Sequence, residues 1–376
     1  MAVARRRARN FLWALATVAF VSCATPPEQA PQTEPGRSAR IAAPETRGFV
    51  VSKLSGIPPV GDAGCPDGLN RTERQQYGIE AGELEAKIDE LGRVAAEKLL
   101  YPPDTCRDPE RHADPGFRTF DEPAAVAGLD LDGKTSRKSD SAGCAHDDFV
   151  GPNGESGIDN QYWRLVGCVA GYRPGGLIDR AFENNNYVRE GFPILLEVDG
   201  VDDPKNDDAV SVRFLSSRDA VSLDGVGHVT QGTSLGVLDE PKFWSDFAPG
   251  RIENGVLTTE PVDVLLRFKQ QVIDGDVYYR DTRLRAELLP DGRLRGVLGF
   301  YRDTGRLFAH MNDHYIGQYH TGRSASDARG YICGGMHYAL ERLADGHPDP
   351  VTGRCTSVSA ALEFEAVPAF LIHPES

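Results

Sequence analysis

The stretch Val262-Asp263-Val264-Leu265-Leu266-Arg267-Phe268-Lys269 indicates the fold more clearly than any other part of the sequence. Apolar side chains occupy every second position, as in a strand that buries one face and leaves the other in water. Residues 210–214 show the same period of two. Residues 284–288 lead through Pro290-Asp291-Gly292 into residues 294–298, and this pattern predicts an antiparallel hairpin with a tight turn.

These strand patterns follow one another between residues 120 and 305 without a helical pattern between them. Parallel strands need crossover connections, which are usually helices, so the succession favours antiparallel neighbours. The sequence therefore predicts a mainly β protein with an antiparallel β-sandwich or jelly-roll-like core.

Helical periodicity lies on both sides of this core. Thr72 and Gln75 have the spacing of a capping box, and apolar residues recur at helical intervals between residues 84 and 99. Near the other end, apolar residues in 336–343 predict a helix, and alternating apolar residues in 358–366 predict a final strand. We therefore expect an N-terminal helix and a C-terminal helix–strand unit.

The first residues have the three parts of an export signal, a basic region at 5–9, an apolar stretch at 11–21 and the small residue Ser22. The apolar stretch is shorter than the roughly 20 residues that a membrane-spanning helix needs. Phe20-Val21-Ser22-Cys23 resembles the lipobox of bacterial lipoproteins. The resemblance implies a lipid on Cys23, attachment to the membrane through that lipid, and an outer-membrane lipoprotein of a Gram-negative envelope that faces the periplasm or the cell surface.

These patterns divide the sequence into five predicted segments. They are a signal peptide at 1–22, a lipidated Pro-rich tether at 23–48, a helical N-terminal segment at 49–118, the β-sandwich at 119–305 and a C-terminal helix–strand extension at 306–376.

Six cysteines remain once Cys23 is assigned to the lipid. They are Cys65, Cys106, Cys144, Cys168, Cys333 and Cys355. An even number in an exported chain predicts disulfides, and six cysteines allow 15 connectivities. Pairing of nearest neighbours in the sequence is the simplest hypothesis. It joins 65 to 106, 144 to 168 and 333 to 355.

The formal net charge is −15 at pH 7, and the export signal carries four of the arginines. An acidic chain without a basic stripe repels phosphate backbones, so we do not expect nucleic acid as a partner. The hydrophobic fraction of 40% is enough for a sizeable core and argues against a disordered chain.

An acidic, glycine-rich loop predicts a calcium site. Its candidate ligands are Asp147, Asp148, Asp159 and Asn160, since Ca²⁺ takes oxygen ligands from carboxylates, amides and carbonyls. Asp130-Leu131-Asp132-Gly133 could add two more carboxylates, although the pattern of an EF-hand is missing. A second acidic loop at 199–208 looks more like a surface turn. The alternative for both loops is a solvated connection between strands.

Three histidines form a second candidate metal site. His310, His314 and His320 stand at i, i+4 and i+10, and this spacing resembles the zinc motif of the metzincin proteases. Met336-His337-Tyr338 also resembles the methionine turn of one metzincin branch. Met311 occupies the place of the glutamate that takes a proton from zinc-bound water, so hydrolysis by zinc is not supported.

Taken together, these patterns favour a lipid-anchored envelope protein whose β-sandwich is a binding or structural module stabilised by Ca²⁺. The expected ligand is a glycan or another envelope component, and Tyr162, Trp163, Phe243 and Trp244 could stack on sugar rings or anchor the core. The alternative is a secreted hydrolase. It would be a degenerate metzincin-like zinc enzyme or a glycosidase with a pair of carboxylates.

Overall fold

The computed structural model describes residues 45–58, 61–100, 105–121, 124–140, 144–270, 273–312 and 323–375. Antiparallel strands dominate these residues, so the prediction of a mainly β, antiparallel protein is confirmed. The strands are β1 Glu45–Ser55, β2 Ile194–Val201, β3 Asn206–Ser216, β4 Thr233–Gly236, β5 Ala248–Glu253, β6 Val256–Thr259, β7 Val262–Gln270, β8 Ile273–Leu288, β9 Leu294–Asp303, β10 Gly346–Pro348 and β11 Cys355–Ile372.

Eight of these strands form a sheet that closes on itself. The order is β1-β2-β3-β5-β6-β8-β9-β11, and β1 pairs with β11 as well as with β2. The two-sheet sandwich or jelly roll is therefore not confirmed, because the first and last strands join one continuous sheet. Alternation in the sequence reveals which side chains are buried, but it does not reveal whether the two outermost strands pair. We call these eight strands the closed sheet.

The hairpin predicted around Pro290-Asp291-Gly292 is confirmed. Leu288 of β8 pairs with Leu294 of β9, and Gly292 has a φ of +84° that suits glycine in the turn. Apolar side chains of the closed sheet form the main core, which includes Phe214, Leu298 and Phe364.

Helices cover one end of the closed sheet. The helices are α1 Glu73–Tyr77, α2 Ala81–Leu91, α3 Arg93–Leu100, α4 Gln161–Val166, α5 Leu177–Glu183, α6 Asn186–Arg189, α7 Thr304–Asn312, α8 Arg323–Arg329 and α9 Cys333–Leu343. Short 3₁₀ helices lie at Asp62–Gly64, Pro109–Arg111, Ala170–Tyr172 and Pro241–Phe243. A second core lies among these helices and includes Trp163, Leu340 and Val358 of β11. No described helix is long and apolar enough to cross a membrane.

The long N-terminal helix of the prediction is three shorter helices. The capping box of Thr72 and Gln75 is present at α1, but Gly78 and Gly92 adopt positive φ angles and end α1 and α2. Because each break resets the helical phase, the apolar stripe is interrupted, and Leu91 and Leu99 are exposed. At the other end, helix α9 and strand β11 confirm the predicted helix–strand unit.

The predicted segment boundaries do not coincide with boundaries in the fold. β1 begins at Glu45, inside the range predicted as a tether, and it pairs with β11 from the predicted C-terminal extension. The described residues all belong to one compact unit. Cys23 and the predicted signal lie outside the described residues.

Three disulfides are present, but the nearest-neighbour pairing is wrong. Cys65 pairs with Cys168, Cys106 with Cys333, and Cys144 with Cys355. Each bond joins residues more than 100 positions apart, because the fold brings together segments that are distant in the sequence. Loops of this length predict about 5 kcal/mol of stabilisation per bond in the chain-entropy view.

Candidate functional site

Two loops bring three carboxylates together beside β9. One oxygen each of Asp130, Asp132 and Asp159 lies within 4.8 Å of the others. Asp159 is buried, and its Oδ2 accepts a hydrogen bond from the backbone N–H of Leu131 at 2.6 Å. This bond and the backbone bond from Asp159 N–H to Leu129 hold the two loops together.

The loop at 130–134 wraps tightly around its own carboxylates. Oδ1 of Asp130 accepts the N–H groups of Gly133 and Lys134, at 2.7 and 3.2 Å, and Oδ1 of Asp132 accepts that of Lys134 at 2.8 Å. Among the described residues, none donates a hydrogen bond to Oδ2 of Asp130 or Asp132. These oxygens remain available to a ligand.

Two further aspartates lie near these three. Oδ2 of Asp148 accepts the N–H of Ser136 at 2.5 Å, and Oδ1 of Asp345 accepts that of Ser359 at 2.7 Å. Both carboxylates act electrostatically on Asp159. We call Asp130, Asp132, Asp148, Asp159 and Asp345 the acidic cluster.

Burial and mutual repulsion change the ionisation of the acidic cluster. Burial raises the pKa of Asp159 to about 8, and the charges of Asp345, Asp148 and Asp132 add to this effect. Burial likewise raises the pKa of Asp345 to about 7 and that of Asp148 to about 6, again with help from neighbouring aspartates. Some of these groups therefore keep a proton near neutral pH. A divalent cation would replace that proton, and an all-oxygen set of donors fits Ca²⁺.

The four predicted calcium ligands do not all belong to one cluster in the structure. Asp148 and Asp159 belong to the acidic cluster, whereas the side chain of Asn160 caps helix α4 by accepting the N–H of Trp163. Oδ1 of Asp147 accepts the N–H of Lys138 at 3.0 Å. Two of the four predicted residues therefore have local structural roles.

The predicted additional pair, Asp130 and Asp132, lies at the centre of the cluster. Asp345 follows the end of helix α9 and lies outside the acidic loops that the sequence indicates. Its proximity depends on the packing of α9 and β11, which the sequence does not reveal.

The second acidic loop comprises the end of β2, the connection at 202–205 and the start of β3. Asp207 accepts the N–H groups of Asp202 and Asp203 there, at 2.7 and 3.3 Å. This agrees with the interpretation of the loop as a surface turn.

Of the three histidines in the candidate zinc motif, only His310 lies among the described residues. His310 lies in helix α7, half-buried, with its ring centroid 5.6 Å from that of Phe268. His314 and His320 lie outside the described residues, so the zinc site stays a prediction. Met336, His337 and Tyr338 lie in helix α9, which contradicts the resemblance to a methionine turn.

A second group of metal-ligating residue types is buried beside α9. It contains Glu73, Cys106 and Cys333. Because the two cysteines form a disulfide, their sulfur atoms are not thiolate ligands, and we assign no metal to this group.

A partly enclosed cavity lies between helices and strands of the closed sheet. Its volume is about 110 Å³. Aromatic rings dominate the lining, and they come from helices as well as strands. They include Tyr162, Tyr172, Phe182, Tyr187, Tyr279 and Phe300. Phe182 stacks on Tyr187 at 4.4 Å, and Tyr279 stacks on Phe300 at 4.0 Å, so the walls are held by ring contacts.

Two hydroxyl groups meet in the lining of this cavity. The hydroxyl oxygens of Tyr162 and Tyr172 are 2.7 Å apart, which places one as donor to the other. Burial raises the pKa of the Tyr162 hydroxyl well above its usual value. Tyr162 therefore stays neutral, and the two hydroxyl groups are polar groups in a largely apolar space.

Basic residues also line the cavity. They are Arg267, Arg302, Arg329 and His310. Arg302 follows Phe300 on the same face of β9, so both side chains point inward. The alternation of residues 298, 300 and 302 could have indicated an inward-facing cation, but the cavity itself depends on helices that are distant in sequence.

The four aromatic residues that could stack on sugar rings or anchor the core lie in different parts of the structure. Trp163 and Phe243 are fully buried core residues, and Tyr162 lines the cavity. The indole N–H of Trp244 donates to the carbonyl of Leu238 at 2.8 Å.

No family model matches the sequence, and no curated protein or solved structure matches it either. The lipoprotein and metzincin resemblances therefore stay predictions, and any function must be argued from the geometry of the chain itself.

Proposed function

We propose that this chain is a ligand-binding protein of the cell envelope and that its ligand occupies the aromatic cavity at the helical end of the closed sheet. The observation that carries the proposal is a partly enclosed, ring-lined space of about 110 Å³ that also contains polar groups. Apolar pockets with a few convergent polar groups are the usual form of small-molecule sites.

The volume limits the size of the ligand. An apolar cavity of roughly 150 Å³ takes up benzene, so this smaller cavity holds at most about one ring, and the substituents of a larger ligand must extend out of it. An envelope polysaccharide is too large for it and would need another surface. A small envelope metabolite agrees with the size.

A pair of alanine variants tests the proposal. Ala360 lines the cavity, so Ala360→Leu should fill part of it and weaken the binding of phenylacetamide, a neutral ring-sized probe. Ala209→Leu is the control because Ala209 is exposed near the start of β3 and does not line the cavity. Binding is measured by ligand-observed NMR on both folded variants. Equal binding by Ala360→Leu and the wild type would place the probe elsewhere and contradict the proposal.

We also propose that the acidic cluster binds one Ca²⁺ that stabilises the loops beside β9. The oxygens of Asp130 and Asp132 that lack donors among the described residues support this role. Lipid attachment through Cys23 to the outer membrane belongs to the same proposal, and mass spectrometry of the purified chain tests it by the mass of the N-terminal peptide.

A carboxylate hydrolase is the second candidate. Asp132 and Asp345 line an open pocket of about 770 Å³, and a carboxyl group with a pKa of about 7 suits a general acid. Turnover of chromogenic glycosides that is lost in Asp345→Asn would favour this function. For the zinc alternative, one zinc per chain that is lost in His314→Ala would be the supporting result.

A further inference from the structure

The charge of the cavity lining has one sign. Among the lining residues that the structure describes, none is acidic, while three arginines and a histidine are present. A space of this kind repels a cation and favours an anion, because a buried charge needs an opposite partner.

The arginines of the cavity differ in their partners. Nη1 of Arg267 donates to the carbonyl of Gly275 at 2.7 Å and lies 3.8 Å from the carboxylate of Asp276. Nη1 of Arg329 donates to the carbonyl of Met311. The hydrogen-bonding capacity of these two guanidinium groups is therefore used, at least in part, by the protein itself.

Arg302 is in a different situation. Within the described part of the chain it has no hydrogen bond or ion pair, and its contact is with the face of the Tyr279 ring, 5.8 Å from the centroid. It is half-buried and lies between the partly enclosed cavity and an open pocket of about 290 Å³, both of which it lines. The five N–H donors of its guanidinium are available at the boundary of the cavity.

The tyrosine pair supplies a further donor. Because one hydroxyl donates to the other, one O–H of the two remains for a ligand. The positive charge of Arg302 acts on Tyr162 and on Tyr279, so the cation and the hydroxyl pair face the same space.

From this arrangement we infer that the ligand is a compact carboxylate with a ring-sized apolar body, and that Arg302 binds the carboxylate while the aromatic rings enclose the body. This inference rests on the proposed function, since it names the class of ligand for the same cavity. A planar guanidinium matches a carboxylate with two parallel hydrogen bonds. The small volume excludes long-chain fatty acids, whose carboxylates would otherwise suit the same cation.

Two ligands of nearly the same shape test the inference. Phenylacetate is ionised at neutral pH, and phenylacetamide is neutral. We expect the wild type to bind phenylacetate at least about tenfold more tightly, because hydrogen bonds to charged groups are the stronger kind. Arg302→Gln should remove this preference by weakening the binding of phenylacetate much more than that of phenylacetamide. Arg302→Lys should restore part of the preference, since it keeps the charge without the planar donor set.

Arg306→Gln is the matched control. Arg306 lines the open pocket but not the cavity, and its guanidinium lies over Tyr278 at 4.9 Å. We expect this variant to keep the preference of the wild type. Binding of phenylacetamide by Arg302→Gln also reports that the cavity of that variant is intact.

The outcomes separate the inference from the proposed function. Equal affinity of the wild type for both ligands, or equal losses for both in Arg302→Gln, would overturn the carboxylate inference and leave the cavity as a binding site. Failure of the wild type to bind either ligand would contradict the proposed function and the inference with it.

Discussion

The guanidinium of Arg302 lies over the ring of Tyr279, 5.8 Å from its centroid, and Tyr279 in turn stacks on Phe300 at 4.0 Å. This contact orients a cation that has no ion pair among the described residues, by the attraction between a positive charge and an aromatic face. Tyr301 follows Phe300 along β9. Its ring contacts that of His347, and burial together with the charges of the acidic cluster raises the pKa of its hydroxyl. One strand therefore contributes to both candidate sites, with alternate side chains on opposite faces.

The hydroxyl pair of Tyr162 and Tyr172 should couple in a double-mutant cycle. Tyr162→Phe or Tyr172→Phe leaves the remaining buried hydroxyl without its partner, so each change should lower the free energy of unfolding by about 1–2 kcal/mol. The double variant should lose clearly less than the sum, because no hydroxyl is left unpaired. Urea unfolding measures all four chains. Strictly additive losses would show that the two hydroxyls do not interact.

The stability of the chain without added metal should depend on the raised pKa values of the acidic cluster. Folding raises the pKa of Asp148 to about 6, of Asp345 to about 7 and of Asp159 to about 8. The folded state therefore binds more protons than the unfolded state above pH about 4, where unfolded aspartates ionise. Stability should fall as the pH rises from about 4 to about 8. Thermal unfolding midpoints in EDTA across this range check the direction.

Ca²⁺ should reduce the loss of stability that we expect as the pH rises. Because Ca²⁺ competes with protons for the same carboxylates, millimolar Ca²⁺ should raise the unfolding midpoint strongly at pH 8 and only slightly at pH 5. Asp132→Asn should remove most of the effect at pH 8, whereas Asp208→Asn, at an exposed position near the start of β3, should keep it. An unchanged midpoint with Ca²⁺ at pH 8 would refute the calcium proposal.

The disulfide connectivity can be checked directly on the oxidised protein. Peptide mapping without reduction should recover cross-linked peptides that join 65 to 168, 106 to 333 and 144 to 355. Replacing both Cys144 and Cys355 by serine should lower the free energy of unfolding by about 2–5 kcal/mol. A peptide that joins 333 to 355 would contradict this structure and return the connectivity to nearest neighbours.

Local sequence patterns predict individual strands and a hairpin, but they do not predict that the sheet closes on itself. The period of two in 262–269 and the turn at Pro290-Asp291-Gly292 specify strands and a hairpin, because both depend on residues close in the sequence. Pairing of β1 with β11 joins residues more than 300 positions apart and leaves no local signal. The disulfides follow that long-range arrangement, and so the nearest-neighbour hypothesis failed with it.

The residues of the candidate sites also include some that the sequence indicates and others that it does not. Asp130 and Asp132 are two residues apart, so their proximity was visible in the sequence, and an acidic loop drew attention to Asp148 and Asp159. Asp345 joins the cluster from the end of α9. The cavity needs Arg302 of β9 together with Tyr162 and Tyr172 from the helical layer, and no sequence spacing relates these residues.

Gly299 should be required for the position of the acidic cluster. A Cβ at this position of β9 would lie 3.1 Å from Cβ of Leu129 and 3.0 Å from Cδ2 of Leu131, where the acidic loop crosses the strand. Leu129 cannot move away easily, because its carbonyl accepts the N–H of Asp159 at 3.0 Å. Gly299→Ala should therefore destabilise the fold by about 1–2 kcal/mol and reduce the calcium-dependent rise of the unfolding midpoint.

Gly225→Ala provides the matched control for this last prediction. A Cβ at Gly225 would have no neighbour within 4 Å, so the same chemical change there should leave both the free energy of unfolding and the response to Ca²⁺ unchanged. Chemical denaturation with and without Ca²⁺ measures both quantities. If Gly299→Ala behaved like Gly225→Ala, close contact between β9 and the 129–131 segment would not be what positions the carboxylates. The hydrogen bonds of Asp159 with Leu129 and Leu131 would then have to hold the cluster.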